Sequence, residues 1–250
     1  MIPDIKKSTP NAPTFLFDDL PFHWQMTRCE KYALASILQA VNPEVAIEIG
    51  TNKGGSLQLI SQYAKKVYSI DISSECKRLL LDHFHNAEFI TGDSKTIVPA
   101  LLKKIRDSNE NLGMVLVDGD HSTQGVKADI EAVLQYIPTQ PLYIVFHDSF
   151  HPRSREGILA VEWQRCKYVH YVEVDFIPGV YHYEAFDTAQ PRSMYGGLAL
   201  ALMLPEKRSD ELVIYQSQKG LFDTVFPHSC HAAPRQNLDL LRRIKRKLIG

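Results

Sequence analysis

The chain has 250 residues, 44% apolar, 10% aromatic and 23% charged, the composition of a globular domain and not of a disordered or fibrous chain. A formal charge of −1 gives no general attraction to nucleic acid, and no apolar run reaches the length of a membrane span. The start, Met1-Ile2-Pro3-Asp4-Ile5-Lys6-Lys7, lacks the apolar centre of a secretion signal, and Cys29, Cys76, Cys166 and Cys230 lack metal-type pairing. These features predict a reduced, cytoplasmic protein with one α/β domain and modest additions.

Residues 1–28, rich in proline and aromatic side chains, read as an irregular arm or lid. From Glu30, the positions Tyr32, Leu34, Ile37, Leu38 and Val41 recur at helical spacing until Asn42-Pro43 stops them. Strands then alternate with helices. The pattern predicts strands over 44–49, 67–71, 87–91, 113–118, 142–147 and 169–175, with helices over 55–65, 74–84, 95–106, 123–137 and 156–167 between them. Such alternation predicts a doubly wound, mostly parallel sheet with helices on both faces. The apolar run 197–204, closed by Pro205, supplies a buried seventh and last strand. Between it and the sixth strand, 176–196 is rich in Tyr, Phe and Pro and long enough to form a lid-like insertion.

The resulting division is an arm over 1–28, a main domain over 29–205 and a C-terminal extension over 206–250. The extension ends in a basic amphipathic helix, 237–248, where Leu240, Leu241, Ile244 and Leu248 interleave with arginines and lysines. Packing on the domain or on a homodimer partner accounts for such a helix, and so does a membrane or nucleic-acid surface.

Function is concentrated at strand ends. Residues 44–56 read Glu-Val-Ala-Ile-Glu-Ile-Gly-Thr-Asn-Lys-Gly-Gly-Ser, an apolar strand interrupted by Glu48, then a glycine turn, then a helix start. This geometry brings a cofactor close to bare backbone, which makes Gly50, Thr51, Asn52, Gly54 and Ser56 candidate cofactor contacts. Asp71 ends the next strand about 20 residues on, where nucleotide-binding folds place a ribose-hydroxyl acceptor, with Ile72 beside it. Asn52 stands where a dinucleotide fingerprint wants glycine, and Lys53 comes too early for a phosphate-cradling loop. A carboxylate two residues before the turn repels phosphate but suits an ammonium or sulfonium charge.

The order Glu48-Ile49-Gly50-Thr51-Asn52-Lys53-Gly54 followed by Asp71 resembles the first two motifs of the class I S-adenosylmethionine (SAM) methyltransferases, over roughly residues 30–205. The resemblance implies a SAM cofactor with its charged end near Glu48, its ribose on Asp71, and its adenine amino group facing Asp93 beside Ser94. An N-terminal cap of the following helix accounts equally for Asp93 and Ser94.

The fourth strand ends Val117-Asp118-Gly119-Asp120-His121-Ser122 and the fifth ends Phe146-His147-Asp148-Ser149. Adjacent parallel strands would bring Asp118 and Asp148 within reach of one cation, with His147 or Asp120 completing the set. These segments resemble the metal-dependent branch that methylates sugar hydroxyls and natural products of the macrolide and cephamycin pathways. That resemblance implies Mg²⁺ or Mn²⁺ on Asp118, His147 and Asp148, with His121 as the base that takes the proton of a small hydroxylated substrate. The chain departs from the branch in carrying His147 where many members have Asp or Glu. Hydrogen bonding of the two aspartates to loop amides, a helix-start role for His121 and a packing role for His147 remain open beside these assignments. An NAD-dependent oxidoreductase and a non-catalytic nucleotide-binding module are the competing functions.

Overall fold

The computed structural model describes residues 20–182 and 192–232. Residues 1–19 of the expected arm, Tyr183 and Phe186 of the expected lid, and the tail helix 237–248 lie outside the described residues.

Helix α1 (Arg28–Val41) starts at a capping box, in which Thr27 accepts from the backbone of Glu30 and the Glu30 carboxylate accepts from the backbone of Thr27. It stops at Asn42, whose left-handed backbone (φ 43°) turns the chain into strand β1. Strands and helices then alternate: β1 (Val45–Ile49), α2 (Leu57–Tyr63), β2 (Lys66–Asp71), α3 (Ser74–Leu80), β3 (Ala87–Thr91), α4 (Ser94–Asp107), β4 (Leu112–Val117), α5 (Thr123–Val133), β5 (Leu142–His147), α6 (Pro152–Leu159) and β6 (Val169–Ile177). After them come a hairpin, β7 (Val180–His182) with β8 (Ser193–Tyr195), then β9 (Leu198–Met203), β10 (Ile214–Tyr215) and α7 (Lys219–Val225).

All seven expected strands are present, and β10 adds an eighth, giving the order β10-β6-β9-β5-β4-β1-β2-β3. β9 runs antiparallel between β5 and β6, and the other neighbours in the sheet are parallel. Two residues carry too little periodicity to announce β10. Its pairing depends on a contact between Ile214 and Val172 that is remote in sequence. The expected helix 156–167 begins earlier, with Pro152 in its first turn, and ends at Leu159. There the Trp163 indole donates to the Ile158 carbonyl (2.9 Å), so the apolar periodicity beyond 159 belongs to a 3₁₀ turn, Trp163–Arg165.

Alternate β1 side chains enter different cores. Ile47 and Ile49 pack with residues of α4, α5 and α6, whereas Ala46 faces the layer made by α1 and α2. Glu48 shares the parity of Ala46 and therefore points into the α1–α2 layer, fully buried. Strand order reverses between β1 and β4, and in open parallel sheets the crevice beyond such a reversal is where ligands bind. Residues 206–232 attach to the same sheet through β10 and through Gln216 and Phe222, which meet a buried ion pair between α6 and β6. Arg155 of α6 grips Asp175 of β6 with both terminal nitrogens (2.5 and 3.1 Å), bonds Gln216 (3.1 Å) and lies 4.5 Å from the centre of the Phe222 ring.

Candidate active site

At the reversal point, β1 and β4 come so close that a Cβ on Gly50 would sit 2.0 Å from the Asp118 carbonyl oxygen. Gly50 also has φ +94°, so only glycine serves there. The turn is tied down from β2. Asp71 accepts from the backbone N–H of Thr51 (3.0 Å) and Asn52 (2.9 Å) through one oxygen, and from that of Ser73 (2.8 Å) through the other. Above it opens a cleft of about 1120 Å³. Gly50, Thr51, Asn52, Ser56, Asp71, Ile72, Asp93 and Ser94, all expected cofactor contacts, line this cleft.

Glu48 and Gly54 do not reach it. Gly54 instead lets the turn (φ +79°) settle against Leu80 of α3. Glu48 accepts from Ser56 (2.6 Å) and Ser69 (2.9 Å), and Ser69 is joined in turn to the Thr51 hydroxyl (2.5 Å). Burial, together with the charges of Asp118 and Asp71, outweighs the two serine bonds and pushes its pKa up to about 8. The acid that sequence placed opposite a positive guest is thus a neutral strut beneath the turn at neutral pH, because strand parity directs it away from the crevice. Asp93 caps α4 through the Lys95 N–H (3.0 Å), so the cap and the cleft position coexist. Ser94 donates to the buried Asp129 (2.6 Å).

The ends of β4 and β5 converge as their register requires. Asp118, His147 and Asp148 each offer a ligand atom, all within 4.8 Å of one another, and all three line the cleft. His147 Nδ1 lies 2.9 Å from Asp118 and 3.9 Å from Asp148. His121 bridges the two aspartates, with Nε2 3.2 Å from Asp118 and Nδ1 2.9 Å from Asp148. Asp148 holds a left-handed backbone (φ 57°), unusual for a residue with a side chain, and one of its oxygens accepts from the Gly196 N–H. Asp120, the other expected contributor, bonds Ser122 at the start of α5 and is not part of the converging set.

Charge in this cluster is tightly coupled. Hydrogen bonds to Asp118 and Asp148 raise His121 to about 10 against the opposing effect of burial. Burial would lower His147, but Asp118, Glu30 and Asp148 carry it well above its ordinary value. Burial would likewise raise both aspartates, yet the two imidazoles hold each below the usual carboxylate range.

Sequence reasoning missed Glu30, whose carboxylate in α1 lies 3.6 Å from His147 Nε2. The Thr27–Glu30 spacing announces a cap, but nothing local says that the same carboxylate is buried beside a residue 117 positions away. His23, Trp24, Met26 and Tyr195 also lie on the cleft wall. Three other aromatics of the arm and of the 176–196 segment pack away from the cleft: Phe22 lies on Phe84 (5.0 Å), Phe176 on the α1–α2 core, and the Tyr181 hydroxyl donates to the His228 carbonyl (3.1 Å). His151 and His231 meet edge to face at 4.9 Å outside the cluster.

Residues 47–149 match the model of a family described as a methyltransferase domain. Over these residues the chain is similar to a methyltransferase domain, and the sheet order and the strand–turn–helix described above agree with that likeness. No curated protein matches the chain. Among solved structures it is similar in fold to an O-methyltransferase from Bacillus cereus in complex with SAH (TM-score 0.51, 14% identity, covering 71% of this chain and 82% of that one). It is also similar to the O-methyltransferase TomG from Streptomyces achromogenes, involved in tomaymycin synthesis and bound to SAM (TM-score 0.53, 15% identity, 72% and 81% covered). A third similar structure is cofactor-bound Rv0187 from MTB (TM-score 0.53, 13% identity, 76% and 87% covered). Among the described residues, no helix is long and apolar enough to cross a membrane.

Proposed function

We propose that the protein transfers the methyl group of SAM to a hydroxyl oxygen of a small molecule, assisted by a divalent cation on Asp118, His147 and Asp148. The observation that carries this reading is the convergence of two carboxylates and an imidazole on the wall of the cleft that the glycine turn also lines. Asp71 takes the ribose hydroxyls, Asp93 and Ser94 face the adenine, and Gly50, Thr51, Asn52 and Ser56 bed the remainder of the cofactor.

The donor set fits a divalent ion. Opposed ligands of an octahedral Mg²⁺ or Mn²⁺ lie about 4–4.5 Å apart, close to the spread seen here, and an imidazole beside two carboxylates favours Mn²⁺ over Mg²⁺. When bound, such an ion lowers the pKa of a hydroxyl beside it. His121 is the proton acceptor. As it stands between Asp118 and Asp148 it holds its own proton at neutral pH, and it can accept another group's proton only once the charge of those carboxylates is taken up elsewhere. Base and cation ligands are therefore one coupled unit. The acceptor oxygen gives its proton to His121 and bonds to the methyl carbon as the carbon–sulfur bond breaks, so the leaving thioether departs uncharged. Holding oxygen, carbon and sulfur in line is the largest task left to the cleft walls.

Calorimetric titration tests the first layer: SAM should release heat on binding and NADH should not. Radiolabelled methyl transfer to a panel of phenols and sugars, with Mn²⁺ or with a chelator, tests the second. No heat with SAM, or transfer indifferent to the chelator, overturns the corresponding part.

A further inference from the structure

His147 is the one imidazole among the three converging ligand groups, and its two ring nitrogens face different surroundings. Nδ1 faces Asp118 (2.9 Å) and Asp148 (3.9 Å), so this nitrogen would serve as the ligand. A ligating imidazole keeps its proton on the other nitrogen and needs an acceptor there. That other nitrogen, Nε2, is buried and has no hydrogen-bond partner among the described residues. The group in front of it is Glu30 Oε1, at 3.6 Å.

Glu30 is built to stay in place. It is fully buried in the first turn of α1, one oxygen accepts from the Thr27 N–H, and the other accepts from the Gly197 N–H between β8 and β9. A buried carboxylate held by two backbone donors loses little entropy in positioning a neighbour, and 3.6 Å closes to a hydrogen bond by a shift of about 0.6 Å. We propose that Glu30 is a positioning residue for the cation site, accepting the Nε2 proton of His147 so that Nδ1 is turned to the ion as its ligand. The carboxylate behind the imidazole then comes from α1, on the side of His147 away from Asp118 and Asp148. This inference rests on the cation reading given above.

The test measures Mn²⁺ affinity directly on the full chain, from the loss of the free-ion electron paramagnetic resonance signal, without substrate or turnover. Removing such outer partners typically costs about 10–100-fold in metal affinity, so Glu30→Gln should bind Mn²⁺ at least about tenfold more weakly than wild type while binding SAM equally well. Thr27→Ala, which removes the threonine side chain of the capping box but leaves Glu30 facing His147, should keep wild-type Mn²⁺ affinity. In a His147→Ala background, Glu30→Gln should cost nothing further. Should Glu30→Gln not fold, Glu30→Asp, which draws the charge back by one methylene, should also weaken Mn²⁺. Wild-type affinity in the folded Glu30 variant, equal weakening by Thr27→Ala, or an undiminished loss in the His147→Ala background each overturns the inference while leaving the cation reading intact. Absence of Mn²⁺ binding by wild type overturns that reading, and this inference falls with it.

Discussion

Glu48→Gln separates a buried neutral strut from a charged guard of the cofactor. The carboxyl is fully buried, and its pKa is raised from 4.5 to about 8, chiefly by burial. The folded protein therefore keeps a proton that the unfolded chain releases. Stability from this source is complete below about pH 4.5 and is lost as pH rises through about 8. At about 1.4 kcal/mol per pH unit, the full loss is about 5 kcal/mol. Glutamine has the same shape, can still pair with Ser56 and Ser69, and does not titrate. The stability of Glu48→Gln relative to wild type should therefore rise with pH, by about 2–3 kcal/mol between pH 5.5 and pH 7.5. Urea unfolding at the two pH values reads the difference, since ionisations common to both proteins cancel. Below about pH 5 the two should agree to within about 1 kcal/mol, because the hydrogen bonds are conserved in number. A constant difference across this range would refute the argument and show that Glu48 titrates as an exposed acid. SAM affinity at pH 7 should change by less than about threefold, whereas a charge acting on the sulfonium would make the loss much larger.

Three further outcomes follow from the same geometry. Asp71→Ala removes the acceptor that braces Thr51, Asn52 and Ser73, and with it charge-assisted bonds each worth about 1.5–3 kcal/mol; SAM affinity measured by calorimetry should fall by about 100-fold. His121→Ala should leave SAM binding unchanged and lower kcat by about 10²–10⁴, the usual contribution of a positioned base, and a wild-type rate would remove His121 from the mechanism. Arg155→Ala leaves Asp175 buried without its bidentate partner and should destabilise the fold by about 3–5 kcal/mol in urea unfolding, with partial recovery when Asp175→Leu is added.

Much of this protein is legible in local sequence. Alternation of apolar runs located the seven main strands, because a strand buried on both faces must be apolar nearly throughout, and Gly50 marked the turn because no side chain fits against the Asp118 carbonyl. Asp118, His147 and Asp148 could be brought together from sequence because parallel neighbours place their ends side by side. Other features were settled only by packing. Which layer receives Glu48 depends on the parity of β1 against α2, and its ionisation depends on complete burial, which no motif encodes. The β10 pairing and the Glu30 carboxylate behind His147 arise between segments far apart in the chain. Periodicity and motif report what a residue does within its own strand or turn, while burial and charge coupling are properties of the neighbours that folding brings to it.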